Sequence, residues 1–297
     1  MKYAAIAAII AIGCTQKLDS EAEDVPAIKP DPEGRLSAGH SHACTLTNSD
    51  EISCWGVSEG DWDYGQVKDA PSGEFFQIGA AGYFSCALQL DGDPLCWGEE
   101  FDGPHGTGIE LAAMNLGVAH MCGLEADGTP HCWGDNQHGQ SDPPEQRFIQ
   151  ISAGYNHTCG ITDSERTICW GRDDEGQSTP PDNKLAQVSA GALMTCGLTQ
   201  NQKAICWGNA LGDIPDVQFT QVSTARSGSH ACGVDVDGDV RCWGFNDFGQ
   251  ADEFREGPYV AVSAGGTNSC GLLETGQVEC WGNDNYGQSS PPADLHE

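Results

Sequence analysis

The sequence predicts an all-β protein, a seven-bladed β-propeller with one disulfide in each blade. Three observations carry that prediction. Fourteen of the fifteen cysteines form seven pairs, each with nine residues between its members: Cys44 with Cys54, Cys86 with Cys96, Cys122 with Cys132, Cys159 with Cys169, Cys196 with Cys206, Cys232 with Cys242, and Cys270 with Cys280. Every second cysteine is followed by Trp-Gly, at Trp55, Trp97, Trp133, Trp170, Trp207, Trp243 and Trp281. The pairs recur every 36 to 42 residues, the signature of a repeat architecture.

Taken in chain order, the first element is a leader. One Lys precedes an Ala/Ile run that ends in Ala11-Ile12-Gly13-Cys14. The run is too short for a membrane-spanning helix, which needs about 20 apolar residues, and it fits a signal-peptide apolar region. Its end resembles the bacterial lipoprotein processing box, which makes Cys14 the lipidated first residue of the mature chain. Residues 1–13 are then the signal peptide and 14–35 a polar, acidic, Pro-containing tether. Residues 36–297 are the propeller. An exported chain permits disulfides.

Each unit reads as strand, small-residue turn, strand, tight turn, strand and loop. In the fourth copy a strand at 148–152 runs into Ala153-Gly154, a second strand carries Cys159, and a third carries Cys169-Trp170-Gly171. Asp91-Gly92, Asp127-Gly128 and Asp237-Gly238 mark the tight turn in other units, as expected for hairpins. Two residues after each first cysteine stands an aliphatic residue, from Leu46 to Leu272, on the same face as the cysteine. On the next strand the Trp points away from its neighbouring Cys. Both sheet faces are thus apolar, so the sheets must stack on one another, as propeller blades do. The last unit ends at Pro291-Pro292 with no inner strand after it. The orphan first copy at 35–39 is expected to fill that place and close the ring.

Antiparallel strands joined by a short turn bring cysteines ten positions apart opposite one another, within disulfide range. Each bridge would contribute about 2.5–3 kcal/mol to a small four-stranded blade on the loop-entropy model. Zinc sites favour closer Cys pairs, and none occurs here. His42, His120, His157 and His230 stand two before the first cysteine, where Phe84, Met194 and Asn268 serve elsewhere. That variation marks a packing position, and no metal or cofactor is expected. The run Asp235-x-Asp237-Gly238-Asp239 falls on a hairpin turn and lacks the spacing of a calcium loop.

The unit Ser-Ala-Gly-x-x-His-x-Cys-x-Leu, Asp-Gly, Cys-Trp-Gly, Asn-x-x-Gly-Gln resembles the repeat of the regulator of chromosome condensation family, over residues 36–297. Its carriers are the seven Trp-Gly pairs and Gly-Gln at Gln66, Gln140, Gln177, Gln250 and Gln288. The resemblance implies a seven-bladed propeller. The family's chromatin role is not expected here, because 13 Lys+Arg against 44 Asp+Glu give a net charge of −31. A chain so acidic does not neutralise nucleic-acid phosphates.

The loop between Ser-Ala-Gly and the first cysteine varies freely on a fixed frame, which suits recognition. Its candidate partner-binding residues are His40, Tyr83, Phe84, Tyr155, Asn156, Leu193 and Arg226. A second candidate is the outer loop with Trp62 and Tyr64; Trp62 is the one Trp outside the repeat signature. The expected function is a surface-anchored, non-catalytic module of the bacterial envelope. It would bind an unknown protein or glycan partner, basic in character given the charge, with no nucleic acid, as a monomer held at the membrane by its lipid alone. The alternatives are a polysaccharide lyase or hydrolase working with acids at the central channel, and a purely structural acidic envelope protein. Cys14→Ser is expected to shift the protein from the membrane to the soluble fraction on cell fractionation; unchanged membrane association would count against lipidation.

Overall fold

The computed structural model describes residues 27–29, 34–100, 103–104, 107–210, 212–293 and 295. Cys14 and the signal segment lie outside these. The described chain contains strands and no helix, arranged as seven three-stranded antiparallel sheets. Each blade is one continuous stretch of chain: 36–56, 75–98, 113–134, 148–171, 185–208, 219–244 and 259–282. Among the described residues the blades have three strands rather than the expected four; the outer loop returns along the third strand only as an isolated bridge in blade six, between Val240 and Arg255. In every blade the inner strand pairs with the middle strand and the middle with the outer.

The cysteines are register partners in all seven blades, with Cα separations of 4.0–4.1 Å, and all seven pairs are bridged. The hairpin turns follow the sequence. Gly92, Gly128 and Gly238 take φ of 85–87°, a region open to glycine at little cost. Asp50, Glu165 and Gln202 adopt φ of 61–62° in the corresponding turns of other blades.

The core lies between blades. Cys44 and Leu46 of blade one pack against Phe75, Ile78 and Trp97 of blade two. Met194, Cys196 and Leu198 of blade five meet Phe219, Val222 and Trp243 of blade six. Cysteine and aliphatic partner thus face one seam while Trp faces the other, as the alternation requires.

The inner strands pack side by side around the axis, and side chains do the work of ladder hydrogen bonds between them. Gln187 donates from Nε2 to Val222 O and accepts the Val222 N–H at Oε1, both at 2.9 Å. Gln77 treats Met114 in the same way, and Gln221 treats Val262. One step along, Ser Oγ atoms accept the backbone N–H of the next blade: Ser37 from Ala80, Ser152 from Ala190, Ser189 from Thr224, and Ser223 from Ala264.

A second seam lies further out. The carbonyl of each Gly-Gln glutamine accepts the indole N–H of the next blade: Trp97 on Gln66, Trp170 on Gln140, Trp207 on Gln177, and Trp281 on Gln250, at 2.9–3.0 Å. In three of these seams a hydroxyl donates to the same carbonyl, from Thr158, Thr195 or Ser269. That hydroxyl oxygen then accepts from the preceding blade's His120, His157 or His230 Nε2 at 2.7–2.9 Å. The histidine position is thus a seam contact. Trp133 and Trp243 follow the two loops that lack Gly-Gln, and they make no such bond among the described residues.

The ring closes by the same devices. Trp55 of blade one donates to Gln288 O of blade seven at 3.0 Å, Ala38 N donates to Ser263 Oγ at 3.0 Å, and Gly266 N donates to Gly39 O. The expectation that the first strand fills a vacant place after the last unit is corrected. Leu36–Ala38 pairs with His42–Leu46, Ser37 opposite Cys44. Three connecting residues cannot carry the chain to another blade.

The four seam histidines are buried, and burial pushes their imidazoles down to about 3 at His42 and His157 and about 4 at His120 and His230. They stay neutral in the fold, while in the unfolded chain they protonate near 6.5. The unfolded state therefore binds more protons as pH falls below about 6.5, and stability drops by roughly 2 kcal/mol per histidine at pH 5. His157→Met places the residue that blade five uses there. It is expected to shrink the difference between unfolding free energies at pH 7 and pH 5 by about 2 kcal/mol in urea titrations. An unchanged difference would mean that this imidazole is charged in the folded protein.

Candidate functional site

Every inner strand ends, and every outer strand ends, on one face of the ring. The rim loops and the first residues of the outer loops therefore meet there. Seven backbone bonds join them, among them Val57 N to Ser41 O, Glu99 N to Tyr83 O, and Arg172 N to Asn156 O. Rim loops also link to one another, as in His40 N to Ala81 O and Tyr155 N to Gly191 O. Glycine is required where they cross: a Cβ on Gly154 would stand 2.3 Å from Gly191 O. The hairpin turns lie on the opposite face. Residues 27–29 dock on that second face, with Lys29 N on Ile149 O and Lys29 Nζ on Ala186 O, both at 2.8 Å.

The two aromatic candidates are one site. Trp62 stacks on Tyr83 with centroids 5.4 Å apart and planes 20° apart, and Tyr64 and His40 contact Tyr83 at 5.5 and 5.7 Å. The seam explains why. Trp62 and Tyr64 belong to the outer loop of blade one, whose Gln66 carbonyl holds Trp97 of blade two; Tyr83 is the rim residue of that same blade. The buried Gln66 side chain also shapes the loop, accepting from Tyr64 N at 2.7 Å and donating to Trp62 O at 2.8 Å. Asp63 between them pairs with Lys68, whose hydrogen bond holds the Asp63 carboxyl below its ordinary range. Burial pushes the Tyr83 phenol up, and so do the charges of Tyr64, Glu99, Tyr155 and Tyr286 around it. Burial lowers the His40 imidazole, whose Nδ1 lies 3.1 Å from Ser227 Oγ of blade six.

The other rim candidates divide. Tyr155 is exposed, and Asn156 and Leu193 are half-buried with their carbonyls tied to the outer loops. Arg226 is buried at the mouth of the central channel. Phe84 is corrected as a rim residue: it is 2% exposed and packs with Leu88, Leu116 and Met121. It occupies the seam position that histidine fills in four blades, and that position points inward. Sequence reasoning missed Tyr286 and Phe248, both exposed. They precede Gly-Gln just as Tyr64 does, so aligning the units on Gly-Gln would have found them.

The central channel is lined at this mouth by Ala38, Gly39, Ala80, Ala81, Val118, Arg226, Ser227 and Gly265, packed too closely to leave a water-sized space. No carboxylate is among them. Among the described residues no group of three or more His, Cys, Asp or Glu is placed to hold a metal ion. The Asp235 carboxylate is occupied by the N–H groups of Asp237 and Asp239 and by Arg241 Nε, the bonding of a turn.

These features define a class, a repeat propeller stapled by disulfides and suited to an oxidising compartment. The regulator of chromosome condensation (RCC1) repeat model matches four stretches of the chain, residues 112–140, 148–177, 219–250 and 259–288. Each match ends on or at the Gly-Gln glutamine of its blade. No curated protein sequence matches the chain. Among solved structures it is similar to the receptor kinase CR4 ectodomain of Physcomitrella patens, at 25% identity and a TM-score of 0.71, covering 84% of this chain and 73% of that one. The CRINKLY WD40 ectodomain of Arabidopsis thaliana ACR4 aligns at 24% and 0.68, covering 84% and 96%. Prp20p of Saccharomyces cerevisiae, described with its binding to Gsp1p and histones, aligns at 16% and 0.62, covering 78% and 80%.

Tyr83→Ala removes the ring on which three others rest. It is expected to raise acrylamide quenching of Trp62 fluorescence, read as the difference from Trp62→Phe. The fold should lose only about 1 kcal/mol, the scale of an aromatic pair. Unchanged quenching would mean that the stack does not form in solution.

Proposed function

We propose that this chain is a tethered, non-catalytic interaction module of the bacterial envelope that holds a protein or glycan partner on its loop-bearing face. The observation that carries the reading is the single aromatic cluster of Trp62, Tyr64, Tyr83 and His40. Trp62 and Tyr64 are more than 40% exposed, and large exposed aromatics are the residues on which interfaces most depend. The frame beneath is rigid, cross-linked in each blade and hydrogen-bonded between blades. A preorganised surface binds at lower entropic cost.

The tether supports the orientation. Residues 27–29 lie against the opposite face, so a chain anchored through Cys14 presents the cluster away from the membrane. CR4 and ACR4 ectodomains belong to receptor kinases, and Prp20p is described with its binding to Gsp1p and histones, which gives this architecture a precedent for protein recognition. A lyase or hydrolase at the channel would need acids there, and the lining of the mouth supplies none. The module acts as a monomer, its ring closed within one chain.

Capture of the partner from envelope extracts tests the face. Trp62→Ala with Tyr155→Ala should abolish capture, whereas Phe76→Ala with Val260→Ala on the hairpin face should leave it intact. Capture that survives the first pair and fails with the second would overturn the reading, and so would turnover of a glycan by the purified domain.

A further inference from the structure

We infer that the Trp62–Tyr64–Tyr83 cluster is a socket for a cationic side chain, and that the partner is a protein docking an arginine- or lysine-bearing segment onto it. The inference rests on the loop-face reading and names the chemistry of the partner. Rings attract cations over their faces, and more strongly as the site is desolvated. Trp62 is 45% exposed and half of its stack is Tyr83, itself partly buried, so the rings are both accessible and held in place.

The loop segments nearest the rings are of one sign. Segments 57–66, 99–100 and 283–288 lie beside the cluster, with Tyr64, Glu99 and Tyr286 all acting on Tyr83, and they hold six carboxylates with no Lys or Arg. Asp61 and Glu99 are exposed beside the rings, and Glu99 reaches Tyr83 through its backbone and its charge. Lys68 is committed to Asp63. Elsewhere the chain fills its own ring faces with cations: Arg241 lies 4.8 Å over Phe254, and Arg255 lies 4.4 Å over Trp281. Among the described residues no cation of this chain covers Trp62 or Tyr83. Rings ringed by carboxylates and lacking an internal cation are complementary to one supplied from outside. A sugar would also stack on the indole, but it gains nothing from the surrounding charge. The carboxylates steer a basic segment to the face, and the rings fix where it lands.

The test uses the full propeller and a defined probe, a ten-residue peptide of alternating Arg and Gly, at 150 mM NaCl. Its isosteric counterpart carries citrulline in place of arginine. The arginine peptide should bind and quench Trp62, and the citrulline peptide should bind at least tenfold more weakly. Trp62→Ala, which changes no charge, should weaken the arginine peptide about 3- to 30-fold. Circular dichroism melts matching the parent protein would establish that this variant is folded. Equal binding to Trp62→Ala would show attraction by diffuse charge alone and overturn the socket. Equal binding of the citrulline peptide, or saturable binding of chitohexaose with none of the arginine peptide, would overturn it as well. In each of these cases the loop-face reading stands or falls separately, on whether partner capture survives the paired loop-face substitutions.

Discussion

The backbone carbonyl at the end of each Gly-Gln loop is the contact on which the rest of the ring depends. It is an acceptor with two lone pairs, and in three seams it takes an indole N–H and a hydroxyl from the next blade together. The hydroxyl in turn accepts from a buried histidine of the blade before. One atom thus fixes the spacing of two blades, orients a Trp into the core between them, and satisfies polar groups that no water reaches. A buried acceptor left empty costs roughly 1–3 kcal/mol, so the glutamine that positions it is as much a core residue as the aliphatic ones. Its own side chain is fully buried and bonds the N–H two residues upstream, as Gln140 does to His138 and Gln288 to Tyr286.

The same contact builds the candidate site. A loop pinned to the following blade must lie over that blade's rim, so an aromatic in one unit's outer loop meets an aromatic in the next unit's rim loop. Trp62 and Tyr83 are 21 positions apart in the chain and stack because Gln66 bridges their blades. The seam and the recognition face are thus one construction seen from two sides, with buried polar groups below and exposed rings above.

Much of this was legible in the sequence. Seven equal cysteine spacings with Trp-Gly after each fixed the hairpins, their register and the bridges, because a period-two strand leaves one way to oppose residues ten apart. The aliphatic residues two beyond each first cysteine disclosed that both sheet faces are covered. What stayed hidden lay between units. The inner-strand Gln and Ser read as ordinary strand residues, since nothing in a single unit reveals that they substitute for a ladder with a neighbour. Phe84 read as a rim residue because it adjoins Tyr83, although its alignment with His42 and His157 already marked a packing position that turns inward. The meeting of Trp62 with Tyr83 was invisible for the same reason, as it is a property of two adjacent units and not of either one.

Ring closure through a loop and an indole has a consequence for how such a protein changes over generations. In a propeller that closes by strand exchange, the first and last blade share a sheet, and the chain cannot gain or lose a unit without rewriting that hybrid. Here every blade is encoded by an unbroken stretch, and the contact joining blade seven to blade one matches the contact joining most other neighbours. A tandem duplication or an excision of about 37 codons would therefore add or remove one whole blade and regenerate a seam already in use. The architecture is modular at the level of the gene, and an aromatic loop can be copied, moved around the ring or discarded as a unit.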